Sequence, residues 1–221
     1  MSGFPSFSRV YEYGGNTFLT YRSKTLSKRS RRGGARNNKH AQIGGGGGGF
    51  ISSEQPDLET ILESTENPFL LVLDGVQDPH NLGACLRTAD GAGIHAVIAP
   101  RNRAVSITET VMRISCGAAE HVPFIRVVNI VRTLELMRDH GIHLIGTADG
   151  ADSTSLYDVD FTGPAALVMG AEGKGLRRLT QENCDQVVRI PMYGKVDCLN
   201  VSVATGVCLY EAVRQRSGQG H

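Results

Sequence analysis

The amino-acid sequence predicts an α/β fold built around a mainly parallel sheet. Short apolar runs alternate with stretches of helical periodicity between residues 57 and 215, which is the pattern of strand–helix–strand units. The apolar runs are continuous, as in parallel strands that are covered on both faces. Polar residues and glycines stand where apolar strands meet helical patterns, in the segments 74–89, 168–176 and 199–206. Open α/β sheets bind their ligands at such junctions.

Each predicted strand is a short apolar run with turn or helix signals beside it. The first, Phe-Leu-Leu-Val-Leu at 69–73, ends at an Asp-Gly turn signal and is typical of a buried parallel strand. The predicted strands are residues 69–73, 95–99, 124–127, 142–146, 165–169 and 187–190.

The longer predicted helices repeat apolar residues at a spacing of three or four. One of them places Ile130, Leu134 and Met137 on a single face, and Gly141 stops it. The last helix repeats Val203, Val207, Tyr210 and Val213. The predicted helices are residues 57–64, 81–91, 108–119, 130–140 and 200–215.

The N-terminal segment differs from the rest of the chain in composition. Residues 1–50 carry nine Lys and Arg and a single acid, Glu12, for a charge of +8, whereas residues 51–221 carry a charge of −7. A run of six glycines at 44–49 is too flexible to hold structure. We therefore expect a basic, glycine-rich and poorly ordered arm. It is either a contact for a polyanionic partner or a solvated tail.

Several protein classes are disfavoured by the sequence. The five cysteines form no C-x-x-C pair and are odd in number, which argues against a disulfide framework or a metal site and for a reducing cytoplasm. No apolar run approaches the roughly 18 residues that a membrane span needs. The N-terminus lacks the apolar stretch of a signal peptide, although its basic character is shared by transit peptides. We expect a cytoplasmic protein without a membrane segment or a bound metal.

The first polar segment places an amide and a guanidinium on one helix. Asp78 and Pro79 signal a turn, and Asn81 stands at the start of the following helix. Arg87 lies six residues on, so its side chain points within about 60° of the direction of Asn81. The pair suits a phosphate or hydroxyl site. A helix cap and a surface ion pair would explain the same residues.

The other two segments are also ambiguous when taken singly. A strand ending at residue 169 is followed by Gly-Ala-Glu-Gly-Lys-Gly, which lacks the Ser or Thr of a Walker loop after Lys174. Its glycines either let a backbone approach a ligand beside Glu172 or form a plain turn. The last helix opens with Asn200 and Ser202, which are good capping residues.

Taken together, the three segments resemble the motifs of the SpoU family of RNA ribose 2′-O-methyltransferases. The motifs are Asp-Pro-His-Asn-Leu-Gly at 78–83, Met-Gly-Ala-Glu-Gly at 169–173 with Ile-Pro-Met at 190–192, and Leu-Asn-Val-Ser-Val-Ala at 199–204. Within the family they are most similar to bacterial enzymes that methylate a guanosine ribose in 23S ribosomal RNA. The resemblance implies an N-terminal segment at 1–66, a methyltransferase domain at 67–217 and a tail at 218–221.

The resemblance also implies a fold and a cofactor. The family's α/β domain is of the SPOUT type, in which the C-terminal segment threads a trefoil knot, an exception to the rule that chains do not thread loops. S-adenosylmethionine would lie among the loops that hold Gly170, Ile190 and Leu199. The family acts as a homodimer with the last helix in the interface, and its partner is RNA.

The family's catalytic roles fall on four residues of this chain, which are Asn81, Arg87, Glu172 and Asn200. The family's proposed base corresponds to Arg87. Because a guanidinium rarely gives up a proton, we favour a fixed positive charge that stabilises the phosphate and the developing alkoxide.

Two departures from the family pattern leave alternatives open. Cys198 stands where the family often has serine, and a thiol donates a weaker hydrogen bond. Similar enzymes carry a compact RNA-binding domain before the catalytic one, and residues 1–50 do not resemble it in composition or periodicity. They are either a divergent arm or the product of an altered reading frame. A transfer-RNA ribose methyltransferase and a non-catalytic RNA-binding module are the alternative functions.

Overall fold

The computed structural model describes residues 10–13, 16–19, 57–102, 104–150, 153–171, 173 and 175–218. The strands in these residues are β1 Val10–Tyr13, β2 Asn16–Leu19, β3 Phe69–Asp74, β4 Ala96–Pro100, β5 Phe124–Val127, β6 His143–Thr147, β7 Thr154–Ser155, β8 Ala165–Gly170 and β9 Gln186–Arg189. The helices are α1 Leu58–Ser64, α2 Pro79–Gly91, α3 Glu109–Ile114, α4 Ala118–His121, α5 Ile130–Asp139, α6 Arg178–Glu182 and α7 Val201–Ser217, with a 3-10 helix at Leu156–Asp158.

The described part of the N-terminal segment consists of β1 and β2, which pair antiparallel. The sequence analysis did not predict these strands, and the expected disorder of the rest of the arm falls outside the described residues. A two-stranded hairpin alone is marginally stable in water.

The main sheet has seven strands in the order β5-β4-β3-β8-β6-β9-β7, and all of its neighbouring strands pair in parallel. This confirms the predicted α/β class and the parallel sheet. Strand β8, late in the chain, inserts between β3 and β6, and the register sets Asp74 opposite Gly170. Because the strands are parallel, their C-terminal ends lie along one side of the sheet, which we call the carboxyl edge.

The core lies on both faces of the sheet, as the continuous apolar strands predict. Along β3, Leu71 and Leu73 belong to a cluster with buried residues of α2 and α7, whereas Leu70 and Val72 belong to a cluster with residues of α1 and α5. Successive strand side chains point to opposite faces, so one strand contributes to both clusters. The polar segments after the strands are left at the carboxyl edge.

Three features of the described body differ from the sequence prediction. The helix expected at 108–119 is broken into α3 and α4, because Cys116 and Gly117 have φ angles of 53° and 92°. Helix α6 and strand β7 were not predicted, since they have only five and two residues. Elements this short carry too little periodicity to be recognised.

The boundaries of the predicted domains and the trefoil knot stay predictions. Helix α1 precedes the predicted start at residue 67, yet its Leu58, Ile61 and Leu62 are buried in the same cluster as the strands. None of the helices in the described residues is long and apolar enough to cross a membrane.

Candidate active site

A cavity of about 880 Å³ opens at the carboxyl edge of the sheet, where β6, β8 and β9 end and α7 begins. This volume lies in the range of pockets that hold small molecules and cofactors, about 300–1,000 Å³. The three predicted cofactor residues, Gly170, Ile190 and Leu199, all line it, and so does Asn200. The described lining residues come mainly from the ends of β6, β8 and β9 and from the segment that leads into α7. Residues of the second and third motifs therefore lie at one cavity.

The cavity wall after β8 is a tight loop that depends on glycine. The backbone N–H of Ala171 donates to the carbonyl of Gly175 (3.1 Å), and the Gly175 N–H donates to the Ala171 carbonyl (2.9 Å). A Cβ on Gly170 would lie 2.1 Å from the carbonyl carbon of Gly175, so no other residue fits there without moving the loop. The predicted catalytic Glu172 sits within this loop and outside the described residues, so its role stays a prediction.

The loop is anchored by a buried carboxylate that the sequence analysis missed. Asp74, at the end of β3, is 1% exposed and accepts hydrogen bonds from Arg177 Nε (2.9 Å), Arg177 Nη2 (2.5 Å) and Thr180 Oγ1 (2.7 Å). The hydrogen bond to Asp74 raises the pKa of the Arg177 guanidinium. The signal was an aspartate at the end of a wholly apolar strand, where a carboxylate needs a buried partner.

Two of the predicted catalytic residues are in direct contact. The Nδ2 of Asn200 donates to the Oδ1 of Asn81 over 3.1 Å, although 119 positions separate them. The Oδ1 of Asn200 also accepts from the backbone N–H (3.0 Å) and the hydroxyl (2.6 Å) of Ser202, so it caps α7. Asn81 is 7% exposed. Capping and site formation are therefore compatible roles for Asn200, and the pair joins the first and third motifs.

Arg87 occupies the solvent side of α2, about 9 Å along the helix axis from Asn81. It does not line the cavity, and no described residue forms a hydrogen bond or ion pair with its side chain. The structure therefore leaves a positive charge accessible near the first motif without bringing it to the cavity.

The cysteines differ sharply in their surroundings. Cys198 and Cys116 are exposed, and Cys198 lines the cavity. Burial raises the pKa of Cys85 to about 11 and that of Cys208 to about 12. The pKa of Cys184 is raised to about 12, mainly by burial.

Within the described residues, no cluster of three or more His, Cys, Asp or Glu side chains is placed to hold a metal ion.

Comparison with known proteins matches residues 68–210 to the model of the SpoU rRNA Methylase family. The 23S rRNA (guanosine-2′-O-)-methyltransferase RlmB of Photorhabdus laumondii is 62% identical over 164 residues, which cover 74% of this chain and 67% of that protein. The RlmB of Escherichia coli K12 is 57% identical with the same coverage. The chain thus spans about two thirds of the length of these relatives.

Solved structures of the family share the fold. The SpoU methyltransferase AviRb from Streptomyces viridochromogenes, in complex with the cofactor AdoMet, is 34% identical with a TM-score of 0.66 and covers 73% of this chain and 65% of its own. A TrmH/SpoU tRNA modifying enzyme of A. aeolicus is 33% identical with a TM-score of 0.66, covering 72% of this chain and 81% of its own. With its motifs meeting at the carboxyl edge and the family model matching residues 68–210, this chain belongs to the SpoU rRNA methylase family.

Proposed function

We infer that this chain is an S-adenosylmethionine-dependent methyltransferase that modifies the ribose 2′-hydroxyl of a guanosine in 23S ribosomal RNA. The observation that carries the inference is the convergence of Gly170, Ile190, Leu199 and Asn200 on one cavity at the carboxyl edge, with Asn81 bonded to Asn200. The relatives with 57–62% identity over about three quarters of this chain bear that activity in their names.

The residues of the cavity fit the cofactor. The lining combines the glycine backbone of residues 170, 173, 175 and 194 with the partly exposed apolar residues Ile190 and Leu199, a mixture of polar and apolar surface that small-molecule pockets use. The backbone of Gly175 approaches Gly170 so closely that no side chain fits at residue 170. S-adenosylmethionine, when bound, supplies a methyl group that its sulfonium already activates. The protein's task is then to orient the attacking ribose hydroxyl.

Orientation of the hydroxyl falls to the amide pair and the charged residues. The hydrogen bonds of Asn200 to Asn81 and Ser202 fix the amide groups before substrate arrives, which is the preorganisation that transition-state stabilisation needs. Arg87 lies outside the cavity on the exposed side of α2, and its proposed role is a positive charge for a phosphate of the bound RNA or for the alkoxide that develops on the 2′-oxygen. Glu172, the carboxylate of the second motif, is proposed to act beside the same 2′-hydroxyl. The 2′-hydroxyl is also the group that distinguishes RNA from DNA.

A second copy of the chain completes the proposed assembly. Val203 and Tyr210 are more than half exposed, and their spacing of seven residues places them on one face of α7. Apolar side chains grouped on an exposed face suit a contact surface, whereas single exposed ones are normal. We propose a homodimer through this face of α7 and a cytoplasmic location, where ribosomal RNA is found.

A transfer-RNA substrate is the second candidate, favoured by the likeness to the tRNA modifying enzyme of A. aeolicus. Its identity of 33% is well below the 62% of the rRNA methyltransferase from Photorhabdus laumondii. A non-catalytic RNA-binding role is disfavoured by the cavity and by the fixed Asn81–Asn200 pair.

The decisive experiment incubates the full chain with methyl-labelled S-adenosylmethionine and separate pools of unmethylated 23S and transfer RNA. Label in 23S RNA at a guanosine 2′-oxygen supports the proposal, whereas label confined to transfer RNA supports the alternative. The variant Arg87→Ala should lose about 10²-fold in turnover, the scale of removing one transition-state donor. Arg87→Lys, which keeps the charge, should recover part of it. Cofactor binding without methyl transfer to either pool would overturn the proposal.

A further inference from the structure

Two arginines stand side by side at the carboxyl edge, away from the cavity. Arg101 directly follows β4, and Arg126 lies in the neighbouring strand β5. Arg101 Nε donates to the carbonyl of Arg126 (3.2 Å), the Arg126 guanidinium donates to the carbonyl of Arg101, and the Arg101 N–H donates to the carbonyl of Val127 (2.8 Å). Main-chain carbonyls therefore hold both guanidinium groups in place.

This pair has no counter-charge in the part of the chain that the structure describes. Arg138, Arg177, Arg178 and Arg214 each pair with a carboxylate, whereas no described carboxylate lies within 4.0 Å of Arg101 or Arg126. Two fixed positive charges side by side repel each other and attract an anion. They stand out on a body, residues 51–221, that carries a net charge of −7.

The side chain of Arg126 has a further unmet need. Its Nε is buried and has no hydrogen-bond partner among the described residues. An unsatisfied buried donor carries a free-energy cost. The Arg101 carbonyl is the acceptor that the described residues give this guanidinium, so an acceptor brought from outside would add hydrogen bonds that it lacks. A phosphate oxygen is such an acceptor, and planar guanidinium groups bind phosphate through two parallel N–H bonds.

The position of the arginines relates them to the active site. Strand β4 is the neighbour of β3 on the side opposite β8, about 5 Å away in the sheet. The backbone N–H of Val105, after β4, donates to the carbonyl of Val76, which follows β3 and precedes Asn81 (3.2 Å). The arginine pair and the cofactor cavity thus flank the Asn81 segment on the same edge of the sheet.

We propose that Arg101 and Arg126 bind phosphodiester groups of the RNA strand that flanks the methylated nucleotide. The inference rests on the proposed function, because it needs an RNA substrate whose target ribose lies at Asn81. The strand runs along the carboxyl edge from β5 toward β8, and the arginines hold its backbone without reading its bases. This gives the acidic body its own RNA contact, separate from the basic arm of residues 1–50.

The test compares three variants of the full chain: Arg101→Gln, the double variant Arg101→Gln with Arg126→Gln, and the control Arg138→Gln. The control removes one positive charge at the opposite edge of the sheet, where Arg138 pairs with Asp185 ahead of β9. Binding to a 23S RNA fragment is measured from 50 to 200 mM salt. Each lost single-stranded phosphate contact should reduce the slope of log affinity against log salt by about 0.7, and the double variant by about 1.4. The control should keep the slope of the unmodified chain.

Further measurements separate this inference from the proposed function. S-adenosylmethionine affinity and turnover at saturating RNA should not change in Arg101→Gln, whereas KM for RNA should rise, and Arg101→Lys should restore the slope. A salt slope in Arg101→Gln equal to that of the control overturns the phosphate contact, even if the unmodified chain methylates RNA. Should the double variant fail to fold, Arg101→Gln decides alone, because its side chain is exposed. Failure of the unmodified chain to methylate RNA overturns the proposed function.

Discussion

Substitution of Gly170 by alanine should damage the proposed cofactor cavity more than the small size of an alanine side chain suggests. The added Cβ would lie 2.1 Å from the carbonyl carbon and 2.4 Å from the oxygen of Gly175. Carbon atoms in contact are about 3.5 Å apart, so the loop has to move by roughly 1.4 Å. Backbone on the far side cannot rotate away as a flexible side chain would, and the two hydrogen bonds between Ala171 and Gly175 are strained or lost.

The size of the effect follows from overpacking, which costs typically about 1–3 kcal/mol. If the fold absorbs this cost, the melting temperature should fall by about 2–12 °C, using about 2–4 °C per kcal/mol for a domain of this size. If instead the loop opens and the fold is spared, the same free energy appears as weaker S-adenosylmethionine binding by about 5- to 140-fold. One of the two measurements must therefore change.

A matched control lines the same cavity. At Gly194 an added Cβ meets nothing closer than the backbone nitrogen of Val196 at 4.0 Å, so Gly194→Ala should leave the melting temperature unchanged in the absence of cofactor. Differential scanning calorimetry and cofactor titration calorimetry on both variants provide the two measurements. If Gly170→Ala matches Gly194→Ala in melting temperature and in cofactor affinity, the tight-loop explanation is refuted.

Three further results are expected. Asp74→Asn should lower the free energy of unfolding by about 1–3 kcal/mol. This is less than the cost of breaking a fully buried ion pair, because the Arg177 side chain is half exposed. An unchanged midpoint of urea unfolding would contradict the anchoring role of Asp74. In alkylation at pH 8, Cys198 and Cys116 should react, while the three cysteines whose pKa is raised by burial stay protected. S-adenosylmethionine should slow the reaction at Cys198, which lines the cavity, but not at Cys116. Equal slowing at both cysteines would place the cofactor elsewhere. Deletion of residues 1–50, with their charge of +8, should flatten the salt dependence of nonspecific RNA binding. An unaltered slope of log affinity against log salt would mean that the arm does not contact RNA.

Local sequence patterns determined the main strands and their burial. The apolar run at 69–73 became β3 and that at 165–169 became β8, each within one residue, because a strand covered on both faces must be apolar at every position. The likeness to family motifs singled out Gly170, Ile190 and Leu199, and all three line one cavity in the structure. Their role in cofactor binding stays a prediction. These predictions depend on neighbouring residues or on recognised motifs.

Tertiary structure alone decided which distant segments meet. The insertion of β8 between β3 and β6 brings Asp74 to Arg177 across 103 positions, and the packing of α7 on α2 brings Asn200 to Asn81 across 119. No periodicity in the sequence encodes such pairings, since many strand orders would bury the same apolar runs. The order is selected by the combined fit of all faces in one core, and the polar residues at the strand ends meet only once that order is set.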